Sequence, residues 1–347
     1  MLYLDANATE VPRPAALAAA AAAMACLGNP SSVHAAGRAA RRLREDAREA
    51  IARRFGAAAA DTVLTAGGTE ANTLALRGLS AGRRILAGAT EHAAVRAIPH
   101  ESVPVLLDGT LDLKALEAML SGAPPAMVAA MAANNETGVL HPIAAIALLC
   151  RAHGALLHVD AVQAAGRVAI PEGWDSLAIS GHKLGGPMGA GALLLRPGLH
   201  PEPLTPGGGP ERGRRGGTEP LPALAGMAAA VPEAGEATRL SALRDAIESG
   251  LPEGVIIAGR DAPRLPNTTC LVLPGLSAER QVMVLDQMGV CVSAGAACSS
   301  GKLGQSHVLA AMGLEAGIRV SLPWNATADC AARFLDAYRG MVVRLRR

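Results

Sequence analysis

The chain has 347 residues but only three lysines, Lys114, Lys183 and Lys302. Lys183 lies in Ser180-Gly181-His182-Lys183-Leu184-Gly185-Gly186-Pro187, directly after an apolar strand pattern and among small residues. A lysine with that much room can lose its proton, attack an aldehyde as the neutral amine and form a Schiff base. The plainer alternative is a surface lysine in a glycine turn. Asp160, in Leu157-His158-Val159-Asp160-Ala161-Val162-Gln163, ends a buried strand pattern, the place where open α/β sheets bind ligands. A carboxylate there can keep the ring nitrogen of pyridoxal phosphate (PLP) protonated and make the ring an electron sink. A helix cap fits the aspartate equally well.

Other residues fit the same kind of ligand. In Thr65-Ala66-Gly67-Gly68-Thr69-Glu70 a strand runs through two glycines into a helix. Backbone N–H groups at Gly68 and the Thr69 hydroxyl can receive a phosphate at a helix N-terminus, although a Gly-Gly turn is the commoner reading. Ser180 and His182 can join them. His92, in Thr90-Glu91-His92, can stack on a ring and move protons, or simply be structural. Asn134, in Asn134-Asn135-Glu136-Thr137-Gly138, can hydrogen-bond a substrate carboxylate or make a turn. Arg319 is a cation inside an apolar strand, suited to a substrate carboxylate or to an internal ion pair. The glycine-rich basic stretch from Gly207 to Thr218 reads as a solvated loop or a phosphate contact reaching a neighbouring subunit. Cys298, in Ala297-Cys298-Ser299-Ser300-Gly301, sits among small residues that leave a thiol accessible, and nearby Lys302 can raise its thiolate fraction. Cys270 and Cys291 fall in apolar strand patterns and read as packing. The six cysteines are dispersed with no C-x-x-C, which argues against a disulfide framework and a zinc site.

These residues need a scaffold that brings them together. Seven short apolar runs are strand candidates: 62–65, 84–87, 103–106, 127–131, 156–160, 176–180 and 192–195. Helical patterns such as 71–79, 113–120 and 143–153 lie between them, and Arg13-Pro14 opens an Ala-rich helix. The alternation predicts an α/β domain with a mainly parallel sheet covered on both faces. After about Gly250 the texture changes, with strand patterns at 255–258, 268–273 and 318–321, a helix at 278–288 and a last helix from about Ala328. The reading is a large α/β domain over 12–250 and a smaller α+β domain from 1–11 and 251–347. Hydrophobic residues make up 50% and charged residues 18%, enough to bury a sizeable core. The net charge of +2 comes from scattered basic residues and predicts neither a nucleic-acid nor a membrane partner. The start, MLYLDANATE, lacks a basic signal-peptide region, so the expectation is a cytoplasmic protein.

Taken in order, the motifs resemble the cysteine desulfurases of the NifS/IscS type, within the class V aminotransferase group of fold-type I PLP enzymes. The resemblance runs from Tyr3 to Ser321 and includes Gly28-Asn29-Pro30-Ser31-Ser32-Val33-His34, Thr69-Glu70-Ala71-Asn72, Thr90-Glu91-His92, Gly181-His182-Lys183, Glu211-Arg212-Gly213 and Ser306-His307-Val308-Leu309. It implies that Lys183 holds PLP and acts as base, and that Asp160 pairs with the ring nitrogen. Gln163 would bond the ring hydroxyl, and His92 would stack on the ring. Gly68, Thr69, Ser180 and His182 would hold the phosphate with Thr218 of a partner subunit. Asn134 and Arg319 would bind the substrate carboxylate. Cys298 would take sulfur from L-cysteine as a persulfide, leaving alanine. The resemblance also implies a homodimer and a sulfur-acceptor protein, in iron–sulfur cluster assembly or tRNA thiolation. Selenocysteine lyase and aminotransferase activity are the alternatives on the same fold; a non-catalytic scaffold is the alternative of another class. Pro210 and Gly216 depart from the usual Gln and Ser, and the chain stops at Arg347 where many relatives carry a scaffold-docking tail.

Overall fold

Short apolar runs form strands and alanine-rich stretches form helices, in a computed structural model that describes residues 1–230, 236–295 and 306–346. The first part of the chain carries β1 (Leu2–Tyr3), α1 (Pro14–Met24), α2 (Ala35–Arg54), β2 (Thr62–Thr65), α3 (Gly68–Leu79), β3 (Arg84–Gly88), α4 (Ala93–Arg96) and β4 (Glu101–Val103). Next come α5 (Leu113–Leu120), β5 (Ala126–Met131), α6 (Ile143–Ala152), β6 (Leu156–Asp160), β7 (Ser176–Ser180), β8 (Gly191–Leu195), α7 (Leu221–Ala230) and α8 (Glu236–Ser249). The remainder comprises β9 (Ile256–Ile257), β10 (Thr268–Val272), α9 (Ala278–Gln287), β11 (Val290–Cys291), β12 (Ser293–Ala294), α10 (His307–Ala311), β13 (Gly317–Ser321) and α11 (Cys330–Leu345).

Seven strands make one sheet in the order β2-β8-β7-β6-β5-β3-β4. Pairing is parallel from β7 to β4, and β8 runs antiparallel to both its neighbours. Hence β2 points the same way as β7, and β2, β3, β5, β6 and β7 all end at one edge of the sheet. Every residue of β5, β7 and β8 is buried, as expected for strands covered on both faces. Val128 and Ala130 face one hydrophobic cluster, with α6 and α7. Met127 and Ala129 face the other, with Leu74, Ala75 and Leu79 of α3.

A second sheet, β12-β13-β10-β9, is antiparallel, and β1 pairs with β11. Its core is built around Phe334, Tyr338, Leu271 and Val320, with Leu240 and Ile247 of α8 packed into it. One strand is displaced from the sequence expectation of 103–106, because β4 stops at Val103. Pro104 has no N–H to give the ladder. Beyond it the Leu106 N–H donates to the Thr110 carbonyl at 2.8 Å and Val105 bridges to Leu111, a separate turn. No helix among the described residues is long and apolar enough to cross a membrane.

Candidate active site

The shared strand direction places the chemistry. Gly68 and Thr69 follow β2, His92 follows β3, Asn134 follows β5, Asp160 ends β6, Ser180 ends β7 and Lys183 follows it. Five strand ends therefore deliver six of the expected site residues, with Gly68, to one edge of one sheet. The N-terminus of α3 has no side-chain cap, so its first N–H groups are left for an anion. Gly68 is needed for close packing: a Cβ there would lie 2.5 Å from Val162 Cγ2 and 3.5 Å from Ser180 Cβ. A Cβ on Gly67 would meet only Ser180 Oγ, at 3.9 Å, so Ser180 borders the same cradle.

Asp160 is buried, and its carboxylate accepts from Asn72 Nδ2 at 2.6 Å and from the Val162 N–H at 2.9 Å. Burial raises its pKa, opposed by the Val162 N–H, His92, the Asn72 amide and Lys183. Lys183 Nζ donates to the Asn7 and Ala8 carbonyls at 2.5 and 2.8 Å. His92 caps α4: its Nδ1 accepts from the Ala94 N–H at 3.1 Å, which leaves the ring proton on Nε2 in the neutral form. Gln163 donates to the Asn7 carbonyl at 2.9 Å and accepts from Arg167 at 2.6 Å. His182 Nδ1 meets Thr9 Oγ1 at 3.2 Å, and burial with Lys183 beside it pushes its pKa down to about 4.

Asn134 makes the turn that was one of its two readings. Its Oδ1 accepts from the N–H groups of Glu136 and Thr137 at 2.9 and 3.0 Å, and its Nδ2 donates to the Thr90 carbonyl at 3.1 Å. Arg319 likewise has internal partners, Asp5 at 2.7 Å and the Asn135 carbonyl at 3.0 Å. Its buried Nε has no partner among the described residues. Cys270 is buried and its pKa is pushed up to about 12, whereas Cys291 is half-buried. Cys298 and Lys302 lie outside the described residues. Thr218 is exposed and lines a cleft with Arg41, Arg44 and Gly207–Gly209.

Three comparisons bear on this arrangement. The chain is 40% identical to a cysteine desulfurase of Cereibacter sphaeroides, over 99% of this chain and 96% of that one. It is 37% identical to an IscS-like cysteine desulfurase of Mycobacterium tuberculosis, over 100% and 98%. The profile of the class-V aminotransferases matches residues 2–334. The chain belongs to the class-V aminotransferase family, in its cysteine desulfurase group. Among solved structures, a NifS-like protein from Rickettsia africae superposes with a TM-score of 0.92 at 31% identity, covering 99% of each chain.

Against the desulfurase pattern, one of the two departures in the 207–218 loop has a structural reason. A Cβ at Gly216 would lie 2.7 Å from the carbonyl oxygens of both Thr205 and Gly207, so this loop closes too tightly for serine. Pro210 precedes Glu211 and Arg212, both in left-handed backbone (φ 51° and 58°), and nothing in the structure explains it. The loop is held by Glu211, whose buried carboxylate accepts from Arg48 at 2.5 and 2.7 Å and from the Leu64 N–H of edge strand β2 at 2.8 Å.

Sequence reasoning assigned no role to several residues that build the candidate site. Asn7 is buried and bonds Thr268 Oγ1 at 2.9 Å, while its carbonyl receives Lys183 and Gln163. Glu91 is buried, accepts from the Met131 N–H at 2.6 Å, and is held well above the usual carboxyl pKa by burial and by Asp160. Glu136 accepts from the Ser306 hydroxyl at 2.6 Å and would meet a Cβ on Gly295 at 2.3 Å. Burial pushes its pKa up to about 7, against Ser306, Arg319 and His92. The signal for all of them was polar residues placed between apolar runs, which does not by itself show what they bond.

Proposed function

We propose that this chain binds PLP through Lys183 and uses it to take sulfur from L-cysteine, leaving alanine and a persulfide on Cys298. One observation carries the reading: Lys183, Asp160, His92 and the uncapped N-terminus of α3 meet at the same edge of one sheet. The residues suit the group. The cradle at Gly68, Thr69 and Ser180 takes the phosphate, with His182 beside it. Asp160, whose carboxylate accepts from two donors, takes the ring nitrogen. Gln163 and His92 flank the ring. Bound there, PLP supplies an electron sink that labilises the substrate's Cα proton and weakens its C–S bond.

The protein's own groups do the rest. Lys183, whose Nζ donates to the Asn7 and Ala8 carbonyls, would hold the group through its amine and would serve as the base for the substrate's Cα proton. Arg319 receives the substrate carboxylate, its unpartnered Nε supplying a donor, and Asn134 fixes the turn facing it. The Cys298 thiolate attacks the substrate sulfur, forming the S–S bond as the C–S bond breaks. A structure 27% identical to this chain, titled as SspA in complex with cysteine, supports the substrate class.

We also propose a homodimer in which Thr218 completes the partner's phosphate site. Exposed Leu17, Met24, Leu27 and Val33 supply an apolar surface. Residues 12–250 and residues 1–11 with 251–347 are proposed as the two domains, and a sulfur-acceptor protein as the persulfide's destination. Absorbance spectra and an alanine assay test the activity. The wild type should be yellow and release alanine from cysteine, Lys183→Ala should lose the absorbance band, and Cys298→Ala should keep its colour without turnover. A yellow protein that makes no alanine sinks the desulfurase reading. Sedimentation of a fully active monomer would sink the dimer.

A further inference from the structure

Linked to Asp160 lies a chain of buried polar side chains that no step above uses. Asn72 Nδ2 donates to Asp160 Oδ2 at 2.6 Å, Asn72 Oδ1 lies 2.8 Å from His158 Nε2, and His158 Nδ1 lies 2.9 Å from Ser176 Oγ. Asn72 is 1% exposed, and His158 and Ser176 are 0% exposed. We infer that Asn72, His158 and Ser176 form a proton-ordered relay that positions Asp160 as an anion toward the cofactor ring. The inference rests on the PLP reading above.

Hydrogen-bond chemistry leaves the relay one arrangement. An ionised carboxylate only accepts, so the Asn72 NH₂ must face it and the Asn72 oxygen must face His158. That oxygen also only accepts, so His158 carries its proton on Nε2. A neutral imidazole has one N–H, so Nδ1 is a lone pair and takes the Ser176 hydroxyl proton. Burial holds His158 neutral, its pKa pushed down to about 3. Reversing any member would set two acceptors, or two donors, face to face in the interior, where an unmet polar group is costly.

The relay also spans the elements that build the site. Asn72 lies one turn into α3 from Gly68. His158 and Asp160 are two residues apart on β6 and so share a face. Ser176 stands opposite His158 in the β6–β7 register, and β7 leads to Ser180 and Lys183. The helix end that takes the phosphate and the carboxylate that takes the ring nitrogen are thus tied through one set of hydrogen bonds. The other titratable groups around Asp160 are Glu91, His92 and Lys183. Burial and the Asp160 charge raise the Glu91 pKa well above the usual carboxyl range, which favours its neutral form beside Asp160.

Nitrogen NMR on the apo protein labelled at histidine tests the ordering, and PLP titration by absorbance or fluorescence tests its consequence. His158 should show the Nε2–H tautomer and stay neutral down to pH 5. His158→Leu should weaken PLP binding about tenfold, the scale of a buried polar group left unsatisfied at Asn72. His158→Gln, whose amide can still donate to Asn72, should restore most of that loss. Ser176→Ala should leave the His158 Nδ1 lone pair without a donor, the proton still on Nε2, and weaken PLP binding several-fold. A wild-type protein with His158 as the Nδ1–H tautomer overturns the relay, and so does a folded His158→Leu variant with wild-type PLP affinity. If His158→Leu fails to fold, Ser176→Ala and the wild-type tautomer decide. A wild type that does not bind PLP at all sinks the cofactor reading instead, whatever the tautomer.

Discussion

At the scale of single residues, the site depends on burying a charge and then satisfying it. Asp160 is 5% exposed and accepts two hydrogen bonds, so its ionised form is held at a cost that the ring nitrogen of the proposed cofactor would offset. Asp160→Asn should therefore lower turnover about 10²–10³-fold, the usual effect of removing one preorganised electrostatic partner. The same change should leave the melting temperature of the apo protein unchanged or higher, because the buried charge is gone. Full turnover in this variant, or a large drop in apo stability with little loss of turnover, would contradict the role. Glu91 is the complementary case: a buried carboxyl beside Asp160 whose pKa is raised well above the usual range by burial and by the Asp160 charge.

At the scale of elements, the important contact is that of α3 with the turn after β6. Gly68 lets the first turn of α3 sit against Val162, between Asp160 and Gln163 in the chain. Gly68→Ala should cost about 1–3 kcal/mol through overpacking, and should also weaken PLP binding because Val162 moves with its neighbours. Val162→Ala in the same chain should recover most of both losses, since it removes the methyl group that the new Cβ meets. A double variant no better than Gly68→Ala would show that the strain lies elsewhere. The 207–218 loop shows the same dependence on packing. Its glycine at 216 is required by two carbonyl oxygens of the loop itself, and its placement by a buried Glu211–Arg48 pair on edge strand β2.

At the scale of the whole molecule, buried titratable groups pull stability in opposite directions with pH. Burial holds His141, His158 and His182 at about 4, 3 and 4. The unfolded chain binds their protons first, so this stability is present above about pH 6.5 and lost as pH falls. Glu10, Glu91, Glu136 and Asp160 have raised pKa values. For them the folded chain holds the extra proton, so stability is present below about pH 4.5 and lost as pH rises toward the folded pKa, about 7 for Glu136. Between pH 5 and 6.5 the two sets oppose each other, and urea unfolding of the wild type should change little. Glu136→Gln removes one carboxyl from the balance. Its stability should rise with pH across that window relative to wild type, by up to about 1.4 kcal/mol per pH unit. Parallel profiles for the two proteins would remove Glu136 from the account.

What the sequence determined by itself was the chemistry and its order. The lysine after a strand, the aspartate ending another, the glycine pair opening a helix and the strand–helix alternation are local patterns set by backbone geometry and side-chain type, so they are legible without coordinates. Six of the seven sheet strands lie within a residue of where periodicity put them. The exception, β4, turns on Pro104, whose missing N–H ends the ladder. Only the tertiary structure decided how the site is supported. Lys183 rests on carbonyls 175 and 176 residues away, Arg319 pairs with Asp5 across 314 residues, and His158 meets Asn72 across 86. The N-terminal segment from Asp5 to Glu10 lines the site and joins both sheets through Asn7, Thr9 and Glu10. No local pattern encodes such partners, because a polar side chain specifies that it must be satisfied when buried, while the fold alone selects which distant group satisfies it.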